Sequence, residues 1–247
     1  MTKPYLLFDA GGTLVYPNPE IAVPLCAEHG VKTTAERFMA DFYTVIHQLD
    51  LELYLETDTT GAPSLESRFF IQSGIEPALA AQLAQEAARR ALPNGFWTYS
   101  KPVIAEALEQ LKAAGYRMSV ISNSDGTVAA QLAALGYDRF FEAIFDSGAV
   151  GVEKPDPRFF NHALSKLELD PSDCIYIGDI VSIDLFGANG VGMAAVHIDP
   201  YGKYTDWPGY HVTGVPDYAN QLISGALRMD NPHLHALAGY KKPQLGA

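Results

Sequence analysis

Three short apolar runs in this chain stop at small polar or acidic residues, and that recurrence constrains the fold most. Tyr5-Leu6-Leu7-Phe8 runs into Asp9-Ala10-Gly11-Gly12-Thr13-Leu14. Met118-Ser119-Val120-Ile121 runs into Ser122-Asn123-Ser124-Asp125, and Cys174-Ile175-Tyr176-Ile177 into Gly178-Asp179. Runs this short, bounded by turn residues, read as buried strands. Helical patterns separate them. Pro102 opens one that carries Val103, Ile104, Leu108 and Leu111 and closes at Gly115; others cover about 128–135, 157–167 and 181–188. With Ala143–Phe145 and Ala194–Ile198, five strands alternate with helices. The pattern predicts an α/β fold with a doubly wound, mostly parallel sheet. Such sheets bind ligands at the carboxyl ends of their strands, where the polar residues fall.

Residues 17–99 read differently. Thr33 and Glu36 fit a capping box. Beyond them Phe38, Phe42, Val45, Ile46, Leu49 and Leu53 share one face at the helical period. Asp58–Pro63 reads as a loop, Leu65–Gln72 as a helix, and Pro77 starts an alanine-rich helix to about Leu92. No strand pattern is present, so this block is expected to be a helical insert. Turns at Pro17-Asn18-Pro19 and Pro93-Asn94-Gly95 are its candidate hinges. Residues 199–214 read as a long loop, 215–227 as a final helix, and 229–247 as a tail without pattern.

The formal net charge of −12 argues against a nucleic-acid partner. It leaves room for a phosphorylated small molecule, because a local site can be positive on an acidic protein. No apolar run approaches the ~20 residues that span a bilayer, so no membrane partner is expected. With no leader pattern at the N-terminus and only Cys26 and Cys174, the expectation is a cytoplasmic protein with reduced thiols.

The turn after the first run carries the chemistry. Two glycines expose bare backbone N–H groups beneath the Asp9 carboxylate, which can act as a nucleophile. Further on, Gly151-Val152-Glu153-Lys154-Pro155-Asp156-Pro157 places a lysine before a helix, and Asp184 lies five residues beyond Asp179.

Taken in order, Asp9, Ser122, Lys154 and Asp179 with Asp184 resemble the four motifs of the haloacid dehalogenase superfamily, over about residues 4–228. The resemblance implies a Rossmann-like core domain (1–16 and 100–228), a helical cap domain (17–99) and a C-terminal tail (229–247). It implies Asp9 as the nucleophile of a covalent aspartyl intermediate. Gly11, Gly12 and Thr13 would shape its turn and bind phosphate. Ser122, Asn123 and Lys154 would hold the transferring phosphoryl group. Asp9, the Gly11 carbonyl, Asp179 and Asp184 would hold Mg2+, whose preference for oxygen ligands suits them. The implied protein is a magnesium-dependent phosphatase of a small phosphorylated metabolite, as a monomer or homodimer.

One position departs from that family's phosphatase pattern. Gly11 stands where a second aspartate would protonate the leaving group, help worth about 10²–10⁴-fold in rate. Three readings follow: a phosphatase that is slow or acts on good leaving groups, a carbon–halogen hydrolase using Asp9 on carbon with Arg37 receiving halide, or a non-catalytic binding relative. A Schiff-base mechanism is disfavoured because no lysine lies between Thr33 and Ser100. Tyr43, His47, Asp50 and Tyr54 lie near one line of the first long insert helix, either as leaving-group contacts or as a solvated face. His197 reads as structural.

Overall fold

The structure, a computed structural model, describes residues 3–93 and 95–239. In chain order its elements are β1 (Tyr5–Phe8), β2 (Tyr16–Pro17), α1 (Pro19–Glu28), α2 (Ala35–Tyr54), α3 (Leu65–Gln72), α4 (Pro77–Arg90) and β3 (Trp97–Tyr99). They continue with α5 (Pro102–Ala113), β4 (Met118–Ser122), α6 (Val128–Ala134), β5 (Ile144–Asp146), α7 (Ser147–Val150), α8 (Pro157–Leu167) and β6 (Cys174–Gly178). A π-helical turn (Val181–Leu185), α9 (Phe186–Gly190), β7 (Ala194–Ile198), β8 (His211–Val212) and α10 (Val215–Ser224) complete the series. They fall into two compact units, residues 3–15 with 100–239, and residues 16–99.

The first unit is built on a six-stranded sheet in the order β5-β4-β1-β6-β7-β8, with every neighbouring pair parallel. β1 is central because all four of its side chains are buried, which suits a strand covered on both faces. Leu7, Ile121 and Tyr176 join Phe159, Phe160 and Leu185 in one core layer. On the opposite face Phe8 meets Tyr218 of α10 edge-on at 6.1 Å, and α10 packs on α5. Register pairs Phe8 with both Val120 and Ile177, so Asp9 emerges level with Ile121 and Gly178, one residue before Ser122 and Asp179.

Five of the six strands follow the sequence pattern. The sixth, β8, lies inside the stretch read as a loop. Its two residues are too few to show a period, and it is defined by His197 N–H bonding Tyr210 O and Asp199 N–H bonding Val212 O, both at 2.8 Å. The stretch read as patternless also joins the core. Residues 232–235 form a 3-10 turn, and Leu234 and Leu237 are buried. Asn189 holds them, donating to Leu234 O at 2.9 Å and accepting from Leu237 N at 3.0 Å. Residues 240–247 lie outside the described residues.

The second unit packs α1–α4 around aromatic rings. Phe42 has Tyr43, Phe69, Trp97 and Tyr16 within 5.9 Å between centroids. Two details differ from the sequence reading. Thr34, not Thr33, caps α2, accepting from Arg37 N at 3.2 Å. And the unit does contain strands, because β2 and β3 pair antiparallel where the chain enters and leaves it. Asn94, in the expected second hinge, lies outside the described residues. Tyr43 and Asp50 on α2 are buried, Tyr43 donating to Tyr16, while His47 and Tyr54 on the same line are half-buried. Arg37 is exposed and paired with Asp41 at 3.0 Å. Cys26 and Cys174 are free and buried. Among the described residues no helix is long and apolar enough to cross a membrane.

Candidate active site

Asp9 continues β1, its N–H bonding Ile177 O at 2.8 Å. The chain then turns sharply, with Leu14 N and Val15 N both bonding Ala10 O. Gly12 lies at φ +76°, a left-handed conformation that glycine adopts without strain. A Cβ there would stand 1.8 Å from Asp179 Oδ2. The glycine is therefore required twice, by its dihedral and by the close approach of the Asp179 carboxylate. Thr13 is fully buried behind the turn, and Gly11 is half-buried.

Ser122 is the last residue of β4 and is buried. The loop after it is held from β5. Asp146 accepts from Gly126 N (3.0 Å), Val128 N (3.3 Å) and Gly148 N (2.9 Å). Ser147 Oγ accepts from Ser124 N and donates to Ser124 O, each at 3.0 Å. Asn123 uses its side chain: Oδ1 accepts from Lys154 N at 2.8 Å and Nδ2 donates to Lys154 O at 3.0 Å. That two-point clamp fixes the backbone of a residue 31 positions away.

The Lys154 ammonium is buried and donates to Asp9 Oδ1 (2.5 Å), Asp184 Oδ1 (2.8 Å) and Tyr176 Oη (2.8 Å). Asp179 follows Gly178 at the end of β6. The π-helical turn beyond it is the kind of local widening of a helix often found at functional sites. It brings Asp184 back over Gly178, where a Cβ would meet the Asp184 carboxylate at 2.4 Å. Asp184 Oδ2 accepts from Ile180 N at 3.0 Å. His197, fully buried in β7, bonds the Asp179 carbonyl through Nε2 at 3.1 Å and His211 through Nδ1 at 2.9 Å.

Asp9, Asp179 and Asp184 each bring a carboxylate oxygen to within 4.8 Å of the other two. Three buried carboxylates face one ammonium. Burial raises the Asp9 carboxyl to about 6 against the pull of Lys154. Burial and the neighbouring Asp9 and Asp184 charges raise Asp179 well above the usual carboxylate range. Burial alone would lower Lys154; the Asp184 and Asp9 charges outweigh it and hold the ammonium protonated. Asp179 Oδ2 is buried and accepts no hydrogen bond. A buried carboxylate oxygen without a donor is costly unless a cation completes it. The donor set is all oxygen and suits a hard divalent ion such as Mg2+.

The sequence-derived residues Asp9, Lys154, Asp179 and Asp184 thus meet in one buried cluster. Gly12 lies against it, and Asn123 fastens Lys154. The sequence pattern does not single out Tyr176, Asp146 or His197 as part of this cluster's surroundings. Tyr176 and His197 carry no signal, since a tyrosine or histidine inside an apolar strand reads as core. Asp146 does sit at a strand end like Asp9, the one hint available.

A family model for haloacid dehalogenase-like hydrolases matches residues 5–192. The chain is 30% identical over 224 residues to a glyceraldehyde 3-phosphate phosphatase of Methanopyrus kandleri, covering 86% of this chain and 91% of that protein. It is 28% identical over 209 residues to a ribulose-1,5-bisphosphate 5-phosphatase of Halopiger xanaduensis, covering 79% of this chain and 84% of the relative. A crystal structure of a putative HAD-hydrolase from Bacillus subtilis bound to magnesium superposes with a TM-score of 0.60 at 20% identity, over 90% of this chain and 99% of that one. At that identity the likeness is one of fold.

Proposed function

Because this chain belongs to the haloacid dehalogenase-like hydrolase family, we propose that it is a magnesium-dependent phosphatase of small phosphorylated metabolites, with Asp9 as its nucleophile. The observation that carries this reading is the buried cluster of Asp9, Asp179 and Asp184 around Lys154, with Asp179 Oδ2 lacking a donor. The two relatives named as phosphatases of small sugar-type phosphates support the substrate class.

Asp9 and Asp179, with the Gly11 carbonyl, are the residues that would hold the ion. Asp184 has both oxygens engaged, by Lys154 with Tyr176 and by Ile180 N, so its main part is to anchor the lysine. Bound Mg2+ supplies positive charge that offsets the repulsion between an anionic nucleophile and an anionic phosphate. The protein's own groups do the rest. Asp9 attacks phosphorus and becomes the aspartyl phosphate as the P–O bond to the leaving group breaks; water then releases phosphate from Asp9. Lys154 keeps Asp9 ionised and offsets charge on the transferring group. The Ser122 hydroxyl and the Gly11 amide would donate to its oxygens, a stabilisation that grows as negative charge develops, whereas the Gly12 and Thr13 amides, expected to be bare, bond Val15 O and Ala10 O.

The test is phosphate release from a panel of sugar phosphates and acyl phosphates, with Mg2+ and with chelator. Turnover is expected to require Mg2+ and to fall about 10⁴-fold or more in Asp9→Asn, the size of loss seen when a nucleophile is removed. Metal-independent halide release from 2-haloacids would overturn the reading in favour of carbon–halogen hydrolysis. Inactivity on both panels would favour a binding relative.

A further inference from the structure

An ammonium has three N–H bonds and no acceptor. All three of Lys154 are taken by this chain. Two go to the counter-charges Asp9 and Asp184; the third goes to a neutral phenol, Tyr176 Oη, at 2.8 Å. Since the lysine only donates there, Tyr176 accepts. Its own proton is left for Ile121 O at 3.0 Å or Asp184 Oδ1 at 3.1 Å. The Lys154 Nζ lies 5.4 Å from the ring centroid, almost twice its distance from the oxygen, so the contact is end-on at the hydroxyl rather than over the ring face.

The placement is unusual for a strand tyrosine. Tyr176 is fully buried in β6, and Phe160 of α8 meets its ring edge-on at 5.4 Å. From β6 the hydroxyl reaches past β1 to the carbonyl of Ile121, the residue before Ser122 on β4. One oxygen therefore links the lysine, the acidic cluster and the end of the strand that bears Ser122.

We propose that Tyr176 is a positioning residue for Lys154, fixing the direction of its ammonium against Asp9. The proposal rests on the phosphatase reading for its catalytic consequence. Two carboxylates alone leave the ammonium free to swing about the line joining them. A third acceptor, out of that line and fixed to the sheet, removes the swing. A lysine stem is flexible, whereas a packed phenol has two torsions and is stiff.

Tyr176→Phe keeps the ring and its packing and removes only the oxygen. In a chain that releases phosphate, kcat is expected to fall about 10–100-fold, as for other residues that orient an active-site group, with KM within about twofold. An unchanged kcat would overturn the proposal. A double-mutant cycle with Lys154→Met, read as urea midpoints without substrate or metal, separates this role from plain structure. The midpoint shift caused by Tyr176→Phe is expected to shrink by at least about half once the lysine is gone. An equal shift in both backgrounds would mean that the hydroxyl serves Ile121 and Asp184 alone, and would overturn it. Lys154→Ala is the second background should Lys154→Met not fold. If the unaltered chain releases no phosphate, the phosphatase reading fails while the cycle still decides the part of Tyr176.

Discussion

Asp9 sits under opposing pressures. Burial lifts its carboxyl to about 6, while Lys154 at 2.5 Å pulls it down. In its proposed role as nucleophile, Asp9 held in that balance is ionised near neutrality without being quenched by a surplus of positive charge. Gly11 sets a different condition at the same turn. It offers no side chain, so position 11 cannot protonate a departing oxygen. Gly11→Asp is expected to raise turnover on alkyl phosphates by about 10²-fold or more, the lower end of general-acid help, and on acyl phosphates much less. Steady-state kinetics on both classes measures the difference. A uniform loss would show that Gly11 is needed for the shape of its backbone.

At the scale of elements, the site depends on loops locked from behind. Asp146, at the end of β5, receives three backbone N–H groups, from Gly126, Val128 and Gly148. These bonds order the segment that follows Ser122. Gly148 fits there because a Cβ would press to 2.8 Å on the Asp125 and Gly126 backbone. Asp146→Ala leaves those donors without their acceptor, and charged acceptors make the stronger bonds. The expected cost is about 2–3 kcal/mol in urea unfolding, and kcat should drop as the loop loosens. The π-helical turn after β6 works similarly, returning Asp184 to the lysine within five residues of Asp179.

For the whole molecule, His197 couples the site to global stability. Burial and the neighbouring His211 hold it down to about 4, against an ordinary value of 6.5. Between those values the unfolded chain binds the proton more readily than the folded one. Stability from this residue is therefore fully present above about 6.5 and is lost as pH falls toward about 4. Asp9, raised from 3.8 to about 6, acts in the opposite sense over much of the same range. Comparison with His197→Gln, which retains Asp9, isolates the histidine. Between pH 5 and 7 the unaltered chain should gain about 2 kcal/mol over that variant in urea unfolding.

Apolar runs ending at Asp9, Ser122 and Asp179, with helices between them, were enough to derive a parallel α/β sheet and the edge where its chemistry lies. That follows because period and strand ends are local properties, written in a few adjacent residues. Two-residue β8, the ribbon of β2 with β3, and the burial of Leu234 and Leu237 are decided by partners distant in the chain, so no local pattern announces them. The same divide runs through the site. The sequence by itself determined which residues carry acid, hydroxyl and amine. Only the tertiary structure decided that Lys154 divides its three bonds among Asp9, Asp184 and Tyr176, and that Asp179 backs onto Gly12. Asp9 and Lys154 are 145 residues apart, and it is the strand order around β1 that turns that separation into a contact.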